Sequence, residues 1–305
     1  MKIKGVHAAP ALIIIISALI TAANYLDISK ISGGFSPYLT VMAIEIACMG
    51  LPAVFFCILR GNEYNGRLNL KIIRVRHISL AFYALLLMIC AGIALSLLMY
   101  RLFPESFAAS ASAGLMGSVE MTGTADTVYT ALAFGILPAI LEEFVFRGII
   151  LTEYTPYGAG VAVIFSSLLF AFSHFTPVRL PIYLFTGIIL ALTVGATGSV
   201  ITTAVIHSAY NVFSLYFEKY IYKIAAKQSG GMILLTFIVV TVLLISAILF
   251  FGRAERLYRL MGEANVPSPL RRKEKKGDPP AFLAALLSPS FLLLLVFFFA
   301  VAFFF

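Results

Sequence analysis

The chain runs through a succession of long apolar segments, at residues 8–27, 38–59, 78–100, 128–151, 159–175, 180–197, 199–217, 232–251 and 281–305. A helix rises about 1.5 Å per residue, so runs near twenty residues match the ~30 Å hydrocarbon layer of a bilayer. Lipid offers no partner to a free backbone N–H or C=O, which leaves helices as the form such runs take. The composition, 61% hydrophobic and 12% charged, is too apolar for a soluble globule of 305 residues. The fold class that follows is all-α: a polytopic membrane helix bundle of eight or nine transmembrane helices, with an intramembrane polar cavity for the polar residues described below.

The start, MKIKGVH before an apolar run, has the outline of a secretory signal with a cleavage site near Ala23. The run is long for such a signal and further spans follow it, so it is read as a first span. Cys48, Cys57 and Cys90 fall inside spans at no metal-binding spacing and read as small packing residues.

The net charge of +8 is concentrated in loops rather than along a nucleic-acid-binding face, and no nucleic acid is expected as a partner. Arg60, Arg67, Lys71, Arg74 and Arg76 lie in one loop, and the basic linker 253–280 carries RAERLYRL and RRKEKK. The positive-inside rule puts both on the cytoplasmic side. Lys2 and Lys4 place the N-terminus there too, and Glu105, Glu120 and Asp126 put the loop 101–127 outside. Lys219, Lys223 and Lys227 run against this count. Besides the bilayer itself, anionic lipid headgroups are a secondary expectation for the basic linker.

These shifts divide the chain into N-terminal helices and loops at 1–127, a polar core at 128–217, an additional helix at 218–252, the basic linker at 253–280 and a C-terminal hydrophobic segment at 281–305. The stretch FGILPAILEEFVFRGIIL in the core carries Glu142, Glu143 and Arg147 within an apolar span. A charge at the bilayer centre costs at least about 2.5 kcal/mol, so each needs a partner or water. Glu143 and Arg147 are four residues apart, on one helix face, and can pair. Glu142 points about 100° away and has no partner within its own helix. Pro138, one turn earlier, removes a backbone hydrogen bond and makes room for water beside it.

Of the four histidines, His174 and His207 lie in other spans, His174 one turn after Phe170 and His207 one turn before Asn211. Counted from the cytoplasmic ends, Glu142 and His207 lie about ten residues deep and His174 about fifteen, a mismatch that helix tilt or a short fifth span has to absorb. A shielded carboxylate is a general base toward water, a histidine opposite holds that water, and a His and Asn pair suits an oxyanion. The set reads as hydrolysis of an acyl bond, most simply a peptide bond. Glu142, His174 and His207 as zinc ligands with one open position are the alternative. No HExxH, GxSxG or GxSG motif is present. Glu45, another acid within a span, reads as a snorkelling or cavity-lining group.

EEFVFR at Glu142 to Arg147, FAFSH at Phe170 to His174 and HSAYN at His207 to Asn211, in this order on successive spans, resemble the EExxxR, FxxxH and HxxxN motifs of the CPBP family. That family includes the Rce1-type CAAX prenyl endopeptidases and bacterial relatives linked to bacteriocin self-immunity and lysostaphin resistance. The resemblance covers about residues 128–217. It implies an all-helical intramembrane protease in which Glu142 activates water with His174, and His207 and Asn211 stabilise the oxyanion. Glu143, Arg147 and Phe170 then support these groups structurally. The family has been described both as metalloproteases and as glutamate-dependent, metal-free proteases; Asn211 beside His207 favours the latter, with no cofactor. The expected partner is a peptide or protein in or near the membrane, and the expected location a bacterial cell membrane. A bacterial source argues against prenylated substrates, since prenylation of a C-terminal Cys box is eukaryotic. A non-proteolytic scaffold or immunity factor and a proton-coupled transporter are the competing readings, the second because intramembrane Glu and His are normal in such proteins.

Overall fold

The computed structural model describes residues 5–26, 30–31, 36–110, 124–226, 230–264, 268, 270 and 281–304. Lys2, Lys4, Glu120, Lys227 and the basic run 271–276 lie outside the described residues, as do the side chains of Lys219 and Lys223. The described residues form helices α1 (Gly5–Ala23), α2 (Pro37–Arg60), α3 (Ile78–Leu102), α4 (residues 124–154), α5 (Ala159–Phe172), α6 (Leu180–Thr197), α7 (Val200–Ala226), α8 (Gly230–Glu263), α9 (Ala281–Leu286) and α10 (Pro289–Phe304). No strand occurs among them. Among the described residues each apolar run of the sequence lies mostly in helix.

Six described helices are long and apolar enough to cross a membrane: Gly5–Ala23, Pro37–Arg60, Val75–Leu102, Pro177–Thr197, Val200–Glu218 and Gly231–Glu263. Three runs read as spans are not among these six: 128–151, which carries Glu142, Glu143 and Arg147 within α4, and two others. The run 159–175 is a 14-residue helix, Ala159–Phe172, only about 21 Å long and too short for a full crossing. It stops because Phe175 takes a left-handed backbone with φ 48° and Pro177 follows two residues later. The run 281–305 breaks at Leu287 and Ser288. There the Ser288 hydroxyl accepts the Phe291 N–H at 3.3 Å, capping α10 behind Pro289.

Proline shapes the backbone at two further places. In α2 a π-helical turn, Ile46–Gly50, comes just before Pro52, and in α4 another, Ala131–Ile136, comes just before Pro138. A proline has no N–H for the carbonyl one turn back and its ring crowds that carbonyl, so the preceding turn widens instead of breaking. A third π-helical turn, Phe144–Ile150, has no proline to explain it. It carries Arg147.

Packing pairs α5 with α6, α4 with α7, α3 with α6, α7 and α8, and α1 with α10. At one end of the bundle Arg60 of α2 meets Glu153 of α4 at 2.6 Å, and Arg253 of α8 donates to the Arg76 carbonyl at 3.0 Å. At that same end Ser199 donates to the Lys71 carbonyl at 2.5 Å. Gly5 lies so close to Glu153 that a Cβ there would sit 2.5 Å from the Glu153 carbonyl oxygen. At the other end Tyr216 donates to the Thr127 carbonyl, and Arg179 reaches both Ser110 and Glu218. The outward face of α8, with Ile233, Phe237 and Ile248 exposed, is a lipid-facing surface.

Candidate active site

Three helices bring their polar residues together. Glu142 sits in the α-helical middle of α4, between its two π-helical turns. His174 lies in the turn just past the end of α5, fixed by the Ser173 hydroxyl donating to the Phe170 carbonyl at 2.8 Å and the Thr176 hydroxyl donating to the His174 carbonyl at 2.9 Å. His207 belongs to α7 and is buried. Glu142 divides its two oxygens between the imidazoles, with Oε1 4.0 Å from His174 Nε2 and Oε2 3.6 Å from His207 Nε2. Ending α5 early is what removes the depth mismatch read from the sequence, because His174 leaves its helix where the other two residues lie.

Partners of the far ring nitrogens fix the tautomers. His174 Nδ1 is 2.7 Å from the Phe170 carbonyl, an acceptor only, so Nδ1 carries the proton and Nε2 offers its lone pair toward Glu142. His207 Nδ1 is 3.0 Å from Glu143 Oε1, and a carboxylate likewise accepts, so Nδ1 of His207 carries a proton. Its Nε2 then donates only in the imidazolium form.

Glu143 and Arg147 form the buried floor. Arg147 donates to Glu143 Oε1 at 2.7 Å and to the Gly187 carbonyl of α6 at 3.2 Å, both charged side chains being fully buried. The guanidinium also lies 4.5 Å from the centre of the Phe170 ring, a cation–π contact that adds to the pairing. Gly187 has to be glycine here, since a Cβ would come within 2.9 Å of Ser167 on α5. That close approach is what lets the α6 backbone reach Arg147.

Phe170 meets His174 and His207 edge-on, at centroid distances of 4.8 and 5.6 Å. Asn211, one turn beyond His207, donates its amide to the Gly135 carbonyl at 3.4 Å. That carbonyl belongs to the π-helical turn before Pro138. Two features were not read from the sequence. One is the bond from His207 to Glu143, which ties the histidine to the ion pair as well as to Glu142. The other is Tyr183 of α6, stacked on His174 with centroids 3.9 Å apart and planes inclined at 21°. No one-dimensional spacing links Tyr183 to His174; only the hairpin between α5 and α6 does. Glu45 ends the first α-helical stretch of α2 and has a buried Oε2 without a hydrogen-bond partner among the described residues.

Neighbouring ligands about a tetrahedral zinc with ~2.0 Å bonds lie roughly 3.3 Å apart, against 3.6 and 4.0 Å here. Among the described residues no group of three or more His, Cys, Asp or Glu has the arrangement to hold a metal ion.

Residues 124–213 match the family model described as type II CAAX prenyl endopeptidase, Rce1-like. That match spans 90 of the 305 residues, so over its core the chain is similar to the Rce1-type endopeptidases. The Rce1-like match starts with α4 and ends within α7, so it contains Glu142, His174 and His207 together with the helices that carry them. Over these residues the likeness is to endopeptidases of the CAAX type. With six helices long and apolar enough to cross a membrane among the described residues, the chain is a multi-pass membrane protein. No curated protein and no solved structure matches the chain.

Proposed function

We propose that this protein hydrolyses a peptide bond of a membrane-proximal peptide or protein with a water activated by Glu142. The observation that carries this reading is the convergence of Glu142, His174 and His207 from three helices at separations of 3.6 and 4.0 Å. These are too wide for direct hydrogen bonds and suit a shared water. Such a water donates one proton toward the Glu142 carboxylate and the other to the His174 Nε2 lone pair, which aims its own lone pair at a bound carbonyl carbon. As the C–O bond forms, Glu142 takes a proton from the water and the carbonyl oxygen becomes an oxyanion. His207, as imidazolium, donates from Nε2 to that oxyanion, and Asn211 contributes an amide N–H by turning from Gly135. Breaking the C–N bond then returns the proton from Glu142 to the leaving amine.

The test is the Glu142→Gln variant, which keeps size and hydrogen bonding but removes the base. Purified in detergent, the wild-type protein is expected to cleave a quenched peptide library and the variant to leave it intact; equal cleavage by both would falsify the assignment. A proton flux without peptide product would identify a transporter instead. The metal alternative has its own readout: stoichiometric zinc, with activity lost to chelation and restored by zinc, overturns the metal-free mechanism.

A further inference from the structure

The turn that carries His174 is held by a helix that contributes nothing else to the candidate site. Two residues other than glycine have a positive φ among the described residues, Asn69 at 57° and Phe175 at 48°. Asparagine takes this conformation readily, and the Asn69 side chain braces its own turn by donating to the Arg67 carbonyl at 2.8 Å. Phe175 has no such local support, since its ring offers no hydrogen bond and its Cβ crowds the backbone there. A backbone of this kind persists where the surrounding packing over-determines it. At Phe175 the left-handed turn lets the preceding residue, His174, leave α5. The Phe175 N–H donates to the Phe172 carbonyl at 3.2 Å and the His174 N–H to the Ala171 carbonyl at 3.4 Å.

The packing comes from α10. Phe298, 1% exposed, has its ring centre 4.9 Å from that of Phe172 and 6.1 Å from that of Phe175, so it packs on the chain at both sides of Ser173 and His174. Phe297 meets Phe175 edge-on at 5.6 Å. The other end of α10 fixes its register: Ser290 donates to the Val6 carbonyl of α1 at 3.4 Å, and the buried Phe291 lies 5.2 Å from Phe165 of α5. Phe291, Leu294 and Phe298 are three and four residues apart and share one buried face of the helix, while Leu293, Val296 and Phe303 stay exposed. This helix lies outside residues 124–213, the part of the chain that resembles the endopeptidases. We infer that α10 is a positioning element for the reaction: Phe297 and Phe298 clamp Phe175 in its left-handed backbone and through it hold the His174 imidazole opposite Glu142. The inference rests on the proposed role of His174 for its effect on rate. The clamp itself stands on the ring contacts and the backbone.

Three variants of the full chain separate this role from plain packing. Phe298→Ala and Phe297→Ala loosen the clamp, whereas Phe291→Ala removes an equally buried ring from the far end of the same helix. Two readouts are taken in detergent: hydrogen exchange of the peptide fragment covering residues 173–179, and kcat and KM for peptide cleavage. Phe298→Ala is expected to speed exchange in that fragment about tenfold or more and to lower kcat about tenfold at unchanged KM. Phe297 is half-buried and its loss costs folding less, so Phe297→Ala is expected to shift both readouts in the same direction by about threefold. Phe291→Ala is expected to lower the melting temperature as Phe298→Ala does, while leaving the fragment and kcat as in the wild type. In a Phe175→Gly background the left-handed backbone carries no Cβ strain, and Phe298→Ala is then expected to change either readout by less than about twofold. No response to Phe298→Ala, equal responses to Phe291→Ala and Phe298→Ala, faster exchange with kcat unchanged, or a full Phe298→Ala effect in the glycine background each overturns the inference. A wild-type protein that cleaves no peptide overturns the protease reading and with it the effect on rate; the exchange readout needs no turnover and still decides whether α10 clamps the turn.

Discussion

The two faces of α4 at Glu142 and Glu143 carry the same side chain in opposite surroundings. Glu143 is fully buried, bound by Arg147 and His207, and its guanidinium partner extends the contact to the α6 backbone. Glu142, one residue earlier, stands 4.0 and 3.6 Å from the two imidazoles, beyond a direct hydrogen bond, and keeps some exposure. The difference teaches that a carboxylate held by a cation from its own helix serves cohesion, while its neighbour, turned toward two other helices, carries no such ion pair, the condition the proposed general base requires.

The largest effect that sharpens the contrast is expected from Glu142→Gln, a loss of about 10²–10⁴-fold in peptide hydrolysis with no change in thermal stability. A parallel drop in melting temperature would erase the distinction between the two faces. Arg147→Met acts on the other face. It strands a buried carboxylate, and the expected cost is roughly 3–5 kcal/mol of stability, read as a lower melting temperature in detergent. The double variant Glu143→Gln, Arg147→Met is expected to recover most of that loss, because neither charge is then left alone. Asn211→Ala tests the oxyanion role, with kcat expected to fall about 10²–10³-fold at little change in KM. An equal fall in stability and none in kcat would instead assign Asn211 to holding the Gly135 turn. Tyr183→Leu is the mildest: losing the stacking on His174 removes about 0.5–1.5 kcal/mol of orientation, so activity drops by roughly tenfold or less while folding persists.

Much of this site was legible because helical spacing is a local rule. Four residues bring Glu143 to Arg147, Phe170 to His174 and His207 to Asn211, and the structure contains each of these juxtapositions except that Asn211 is turned to Gly135. Pro138 pointed to a disturbed backbone before Glu142, and a π-helical turn, Ala131–Ile136, precedes that proline. The bond between His207 and Glu143, the Tyr183 stack and the Gly187 carbonyl under Arg147 all join residues from different helices. Nothing in the spacing along one helix encodes which face of another it will meet.

The sequence by itself determined that this chain is a membrane helix bundle, because apolar runs of that length have no other way to satisfy their backbone in lipid. It also determined which acid was paired, since Glu143 and Arg147 share a face of one helix and Glu142 does not. Only the tertiary structure decided that α5 ends short of a full crossing and brings His174 near Glu142, and that His207 lies between the two carboxylates, bonded to Glu143. Those outcomes depend on how closely helices approach at residues such as Gly187 and where their turns fall, which is settled by packing between segments rather than by the order of residues within one.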